Sequence, residues 1–423
     1  MLAIHFIRQN KDLVLEGLKK KHFKDPDLVD AIISLDERRR QVQVENDNAA
    51  AFINSASKNI GQLIAKGKKD EAEKLKAEVA QNKNKANELN QQLADLEKEM
   101  YEMMVKLPNM PHNTVPAGKT PEENVVAREW GTTPDLSAQK LPHWELTEKY
   151  GLIDFELGTK ITGSGFPVYM GQGAKLQRSL INYFLNFNLD AGYKEYYPPY
   201  MVNEASAYGT GSLPDKEGQM YHATADDLYL IPTAEVPVTN VYRDTITAEN
   251  QLPVMMTAYS PCFRREAGSY GKDVRGLNRV HQFDKVEIVQ LVQPDNSYNV
   301  QEQMVAHVEK LLQSLGLQYR VLLLCGGDMS FASARTYDLE VYSAAQERWL
   351  EVSSVSNFET FQTNRLKARY KDSNGKTQLL HSLNGSSLAL PRIMACLLEN
   401  NQTPEGVNIP EALRPYFGTD IIK

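Results

Sequence analysis

A heptad rhythm between residues 28 and 107 constrains this chain more than any other feature. Leu28, Ile32, Leu35, Arg39, Val42, Asn46, Ala49, Ile53, Ala56, Ile60 and Leu63 alternate in steps of four and three. After the polar stretch "AKGKKDE" the rhythm resumes at Leu75, Val79, Asn82, Ala86, Leu89, Leu93, Leu96, Met100, Met103 and Leu107. One stripe on each side of a short break predicts two helices that fold back antiparallel to bury it. At about 1.5 Å rise per residue each arm is roughly 55 Å long, too long for a globular body to cover, so the hairpin should protrude. Arg39, Asn46 and Asn82 inside the seam suit control of register more than maximal stability.

The tip of this hairpin is basic. Between Lys58 and Lys85 stand eight lysines against four acids, in a chain of formal charge −7. Two readings are open: a solvated coiled coil used for packing or dimerisation, or a probe for an anionic polymer with Lys66, Lys68 and Lys69 at its end. Net acidity argues against blanket coating of nucleic acid but leaves room for a local basic patch that binds RNA; no DNA partner is expected.

At 423 residues the chain exceeds one ordinary core, so two domains are expected. No apolar run approaches the roughly 20 residues that span a bilayer, and charge interrupts the apolar start "MLAIHFIRQNKDLV". Cys262, Cys325 and Cys396 lie far apart without metal-ligand or disulfide spacing, which fits a reducing cytoplasm. "LPNMPHNTVPAGKTPEEN", rich in Pro and Asn, reads as a linker. The organisation expected is an N-terminal unit over 1–107, a connection over 108–130 and a mixed domain over 131–423. In the last, "GAKLQRSLINYFLNFNLDAGY" puts Leu176, Leu180, Tyr183, Phe184 and Phe187 on one helical face, and "EYYPPYMV" reads as extended. Strand-like runs at "DLYLIPT", "HQFDKVEIVQLV", "YRVLLLC", "TYDLEVYS" and "RWLEVSS" predict an α+β fold, an antiparallel sheet flanked by helices.

Chemistry concentrates in "CFRREAGSYGKDVRGLNRVHQFDKVEI", residues 262–288, where Arg264, Arg265, Lys272, Arg275, Arg279 and Lys285 crowd together. If 279–291 is a strand, Arg279, Phe283, Glu287, Val289 and Leu291 share one face, while Val286, Ile288 and Val292 share an apolar one. On the preceding strand Arg264 and Glu266 also share a face, and glycines 268, 271 and 276 free the loop between. A surface hairpin of salt-bridged charges is one explanation. A flat ring between cations is also a platform for a base, with arginines suited to phosphate. "GQGAKL" lacks the spacing of a phosphate-binding loop.

The stretch "FRREAG…GLNRVHQFDKVE" resembles the second signature motif of class II aminoacyl-tRNA synthetases, specifically bacterial-type seryl-tRNA synthetases. "PTAEVPVTN", "GDMSFASARTYDLEVY", "EVSSVSNFETFQTNRLKARY" and "LNGSSLALPRIMACLLENNQ" are similar to further landmarks of that family in order, and the hairpin to its tRNA-binding arm. Ser387, Pro391 and Arg265 depart from the family's usual residues.

The resemblance implies a class II antiparallel sheet with a coiled-coil arm, and a homodimer with tRNA lying across both subunits. It implies a two-step ligation of L-serine to tRNA(Ser) with ATP as substrate and Mg2+ as cofactor, and tRNA(Sec) is left open as a second acceptor. Arg264, Arg279 and Arg392 would be catalytic, Arg392 falling in the first turn of a helix begun by "NGSSLALPR", where the helix dipole disfavours a cation. The ATP site would comprise Arg264, Arg265, Glu266, Arg279, Val280, Phe283, Glu351, Val352, Ser353, Ser354 and Arg392, with Phe283 stacked on adenine. Glu351 and Ser354 would ligate magnesium. Thr233, Ala234, Glu235, Arg264, Glu287, Asn384 and Ser386 would form the serine pocket, and Lys66, Lys68 and Lys69 would meet tRNA. An adenylating carrier-protein ligase should lack the arm; a non-catalytic tRNA-binding paralogue should lack the ATP and magnesium residues.

Overall fold

The computed structural model describes residues 1–215, 218–266 and 275–423; Gly268, Gly271 and Lys272 of the predicted loop lie outside these ranges. The chain divides into two compact units, one of Leu2–Lys19 and Phe23–Pro108, the other of Met1, Lys20–His22 and Asn109–Lys423.

In the first unit, helices Ile4–Gln9 and Lys11–Lys20 precede the long pair Leu28–Ala65 and Lys69–Met104. Every position of the predicted seam is buried or half-buried, and the seam runs one step nearer the tip, to fully packed Ala72. The break is tighter than "AKGKKDE" suggests, only Lys66–Lys68, because Gly67 takes a left-handed φ of +76° that closes the turn without a Cβ penalty. Asn46 Nδ2 donates to Asn90 Oδ1 across the hairpin at 2.8 Å, so the polar seam position has the cross-helix partner that register control requires. Asp36 is wholly buried, accepting from Arg8 Nη1 at 2.5 Å and Arg39 Nη2 at 3.0 Å.

The second unit is built on an eight-stranded sheet. Its spatial order is Val125–Trp130, Tyr319–Leu323, Arg335–Ser343, Arg348–Glu359, His381–Ala389, Gln282–Val292, Val254–Phe263 and Lys194–Glu195. All neighbours are antiparallel except the last pair. Helices Gly171–Asp190, Ser297–Ser314 and Leu390–Asn400 supply apolar stripes to the main core, which takes up Val286, Ile288 and Val292 as alternation requires. Val289 and Leu291 project to the other face and pack with Met256, Ala258 and Ala234 in a smaller core.

Several local expectations are corrected. The strand carrying Glu287 begins at Gln282, leaving Arg279 in the approach to it. Its partner ends at Phe263, and Glu266 has φ +48°, so strand alternation does not relate Arg264 to Glu266. "NGSSLA" is the second half of strand His381–Ala389; the helix begins only at Leu390. Residues 125–130, read as the end of a connection, form the sheet's edge strand, because Val125 and Trp130 have antiparallel partners in Leu323 and Tyr319. The three cysteines are buried and unpaired by disulfides. Among the described residues no helix is long and apolar enough to cross a membrane.

Candidate active site

The central strands of the sheet floor a cavity of about 620 Å³. Strand Gln282–Val292 sends Phe283, Lys285 and Glu287 into it, three residues of one parity whose neighbours Val286 and Ile288 face the core. Lys285 Nζ donates to Glu287 Oε2 at 2.7 Å and to Thr233 Oγ1 at 2.8 Å. Ser386, cross-strand partner of Glu287, donates to the same carboxylate oxygen at 3.4 Å. Glu235 accepts from Gln362 Nε2 at 2.5 Å, and Ser382 Oγ donates to Gln362 Oε1 at 2.7 Å, fixing the amide's orientation. Burial, then the nearby charge of Glu287, raises the Glu235 carboxyl to about 7, opposed by Gln362, Lys285 and Arg264. The result is a small recess with hydroxyls, two carboxyl groups and one ammonium.

Beside it lies a cationic, aromatic half. Arg264 is placed over the Phe283 ring, 5.3 Å from its centroid, and donates through Nε to Pro232 O at 3.4 Å. Arg279 Nη1 donates to Glu266 Oε2 at 2.8 Å. Arg392 stands in the first turn of its helix behind Pro391, which needs no amide donor there. Its Nη1 donates to Glu351 O at 2.7 Å and lies 3.5 Å from Glu351 Oε2, so a carboxylate offsets the cation at the positive helix end.

Glu351 and Ser354 both line the cavity although simple alternation separates residues three apart. The reason is an irregularity: Leu339 pairs with Ser353 but Glu340 with Glu351, so one extra residue shifts the strand's parity between them. Next to this pair, Asp338 is opposite Ser354, and its Oδ1 is buried without a hydrogen-bond partner. Burial and then the charge of Glu351 push its carboxyl well up. A carboxylate, a hydroxyl and an orphaned carboxyl oxygen fit a hard cation. Among the described residues no group of three or more His, Cys, Asp or Glu could enclose a metal alone.

Residues 220–401 match the tRNA synthetase class II core domain (G, H, P, S and T), and residues 1–111 the seryl-tRNA synthetase N-terminal domain. The serine–tRNA ligase of Salinibacter ruber is 49% identical over 99% of this chain and 98% of its own length. The chain belongs to the seryl-tRNA synthetase family. The serine–tRNA ligase of Methylacidiphilum infernorum is 47% identical over 99% of both chains. The solved seryl-tRNA synthetase of Pyrococcus horikoshii complexed with ATP superposes with TM-score 0.91 at 32% identity, covering 100% of this chain and 99% of the other. The class II sheet and long helical arm expected of a seryl-tRNA synthetase are both present.

For a seryl-tRNA synthetase, most site residues named from sequence come together in this one cavity: Thr233, Glu235, Arg264, Glu266, Arg279, Val280, Phe283, Glu287, Glu351, Val352, Ser353, Ser354, Asn384, Ser386 and Arg392 all line it. Two do not. Ala234, the residue before helix Glu235–Asn240, is fully buried and packs in the smaller core. Arg265 is exposed and lies over Tyr221, 5.9 Å from the ring centroid, while its backbone N–H goes to Gln219 O. Lys285 and Gln362 hold site carboxyls, and the sequence pattern alone does not assign either to the site. The parity shared by Lys285 with Phe283 and Glu287 is the signal that could have found the lysine; Gln362 comes from a remote helix and leaves none.

Proposed function

We propose that this protein activates L-serine with ATP and transfers it to the 3′ end of tRNA(Ser). The observation carrying this reading is a single cavity in which Glu287, Thr233 and Ser386 adjoin Arg264, Phe283, Arg279 and Arg392. The serine pocket is assigned to the first group, with Glu287 accepting from the substrate hydroxyl and helping Thr233 hold its ammonium. Adenine stacks on Phe283, Arg264 holds the α-phosphate and the serine carboxylate, and Arg279 with Arg392 grips the rest of the triphosphate.

A serine carboxylate oxygen attacks the α-phosphorus, the bond to the bridging oxygen breaks, and pyrophosphate leaves with its electron pair. In the second step a ribose hydroxyl of tRNA attacks the adenylate carbonyl and AMP departs. The first nucleophile is already ionised at neutral pH, so no protein base is required; orientation and preorganised positive charge do the work. Magnesium fits Glu351 and Ser354, with Asp338 behind them, and would supply countercharge for the phosphates. The arm meets the tRNA backbone through Lys66, Lys68 and Lys69. The working form is a cytoplasmic homodimer with tRNA across both subunits.

Pyrophosphate exchange into ATP, measured with each of the twenty amino acids, tests the assignment. Serine alone should support exchange. Exchange with another amino acid but not serine, or none at all, refutes it.

A further inference from the structure

His143 and Glu399 lie just behind the cavity wall, and their side chains are wholly buried. Leu277 N–H donates to His143 Nε2 at 2.8 Å. A backbone amide can only donate, so Nε2 carries no proton and the ring proton sits on Nδ1. That nitrogen faces Glu399 Oε1 at 2.7 Å, an acceptor suited to this tautomer. Glu399 Oε1 also accepts from the His143 backbone N–H at 2.8 Å, and its other oxygen from Ser343 Oγ. Gln346 Nε2 donates to Oε1 at 2.9 Å, while Gln346 Oε1 accepts from Asn278 Nδ2 at 3.0 Å.

Two lines of contact therefore run from one buried carboxyl group to the short segment Gly276–Asn278. Gly276 has φ +63°, and a Cβ there would stand 2.2 Å from His143 Nε2, so the turn rests directly on the imidazole. Arg275 lies over Trp144, 4.5 Å from the ring centroid, which ties the same turn to the helix His143–Lys149. Leu277, Asn278 and Arg279 line the cavity. Asn278 O in turn accepts from Arg392 Nε at 3.1 Å.

We propose that His143 is a positioning residue for the phosphate-binding arginines: held by Glu399, it fixes the backbone from which Arg279 projects and on which Arg392 rests. The inference rests on the nucleotide reading above. His143 touches no reactant. It acts by holding Leu277, and a loosened turn would let both guanidiniums drift from the terminal phosphates while leaving the adenine side untouched.

The test compares ATP with AMP, since AMP lacks the phosphates these arginines are assigned to hold. Binding of each to the full-length protein is measured calorimetrically without serine. His143→Asn keeps a donor near Glu399 but places no acceptor at Leu277. It should weaken ATP about tenfold and AMP less than about twofold, as expected for misplaced charge-assisted contacts. His143→Gln, whose Oε1 reaches the position of Nε2, should restore most of the difference. An unchanged ATP-to-AMP ratio in His143→Asn, or equal loss for both nucleotides, overturns the proposal. Should His143→Asn fail to fold, Gln346→Ala decides in its place: selective loss of ATP supports the linkage, and an unchanged ratio overturns it. A wild-type protein without preference for ATP over AMP would instead defeat the nucleotide reading itself.

Discussion

Lys285 and Glu287 form an ion pair of 2.7 Å whose side chains are only 7% and 3% exposed. Removing one member of so buried a pair leaves the other uncompensated, which typically costs about 3–5 kcal/mol. Glu287→Ala should therefore lower stability as well as activity, whereas Glu287→Gln keeps the shape and tests recognition more cleanly. In pyrophosphate exchange the Gln variant should lose at least about a hundredfold in kcat/KM for serine, as a site built for a hydroxyl does when its buried acceptor is altered. Its KM for ATP should stay within about twofold. Unchanged kinetics for serine would contradict the pocket assignment.

Glu235 makes stability depend on pH. Its carboxyl is raised from 4.5 to about 7 in the folded protein, chiefly by burial. Between those values the folded chain retains a proton that the unfolded chain has released, so stability falls as pH rises through this window and its cost is fully present above about 7. Melting temperatures between pH 4.5 and 8 should show a downward component that Glu235→Gln removes. An equal slope in the variant would exclude Glu235 as its source. An ammonium bound beside Glu235 favours the ionised form, so serine binding near neutral pH should release protons, visible as a binding heat that varies with buffer.

The lysine tip is tested by salt. Lys68 is paired with Glu71 at 2.8 Å on the surface, an interaction worth little in water, so it can exchange that partner for phosphate. If Lys66, Lys68 and Lys69 meet tRNA phosphates, replacing all three with Gln should reduce the slope of log affinity against log salt by roughly 2. Serine-dependent pyrophosphate exchange should not change. A slope identical to the wild type removes these residues from the interface.

Asp36 is the electrostatic anchor of the N-terminal unit, with no exposed surface and two arginines on its carboxylate. Asp36→Ala should destabilise this unit by about 2–3 kcal/mol; the penalty stays below that of a fully buried pair because both guanidiniums keep some contact with water. Chemical denaturation followed by helical circular dichroism measures it. A loss below about 0.5 kcal/mol would place the pair among ordinary surface bridges.

Legibility in the sequence followed the range of the interactions. The hairpin was readable position by position because its seam is periodic and its partners are neighbours along a helix. Strand Gln282–Val292 was readable for a similar reason: Val286, Ile288 and Val292 alternate with Lys285, Glu287 and Val289. Alternation failed where the chain leaves the strand, at Arg264 and Glu266, and where an extra residue brings Glu351 and Ser354 to one side. The family resemblance located "NGSSLALPR" but not its division into strand and helix, since Ala389 and Leu390 carry no local stop signal. Val125–Trp130 was missed because all six side chains are exposed, so no hydrophobic pattern marks the strand. Gln362 and His143 act through partners more than a hundred residues away, beyond any spacing rule.

Strand His381–Ala389 lies between Arg348–Glu359 and Gln282–Val292, yet it is the last of the eight in chain order. A ribosome must thus deliver the chain through Ala389 before the middle of the sheet can close, and Arg392 follows only after that. Until then the two halves share no hydrogen-bonded ladder, and their inner edges are open to any passing backbone. Competence comes with that insertion, so a chain cut before His381 loses the wedge that joins the strands synthesised before it.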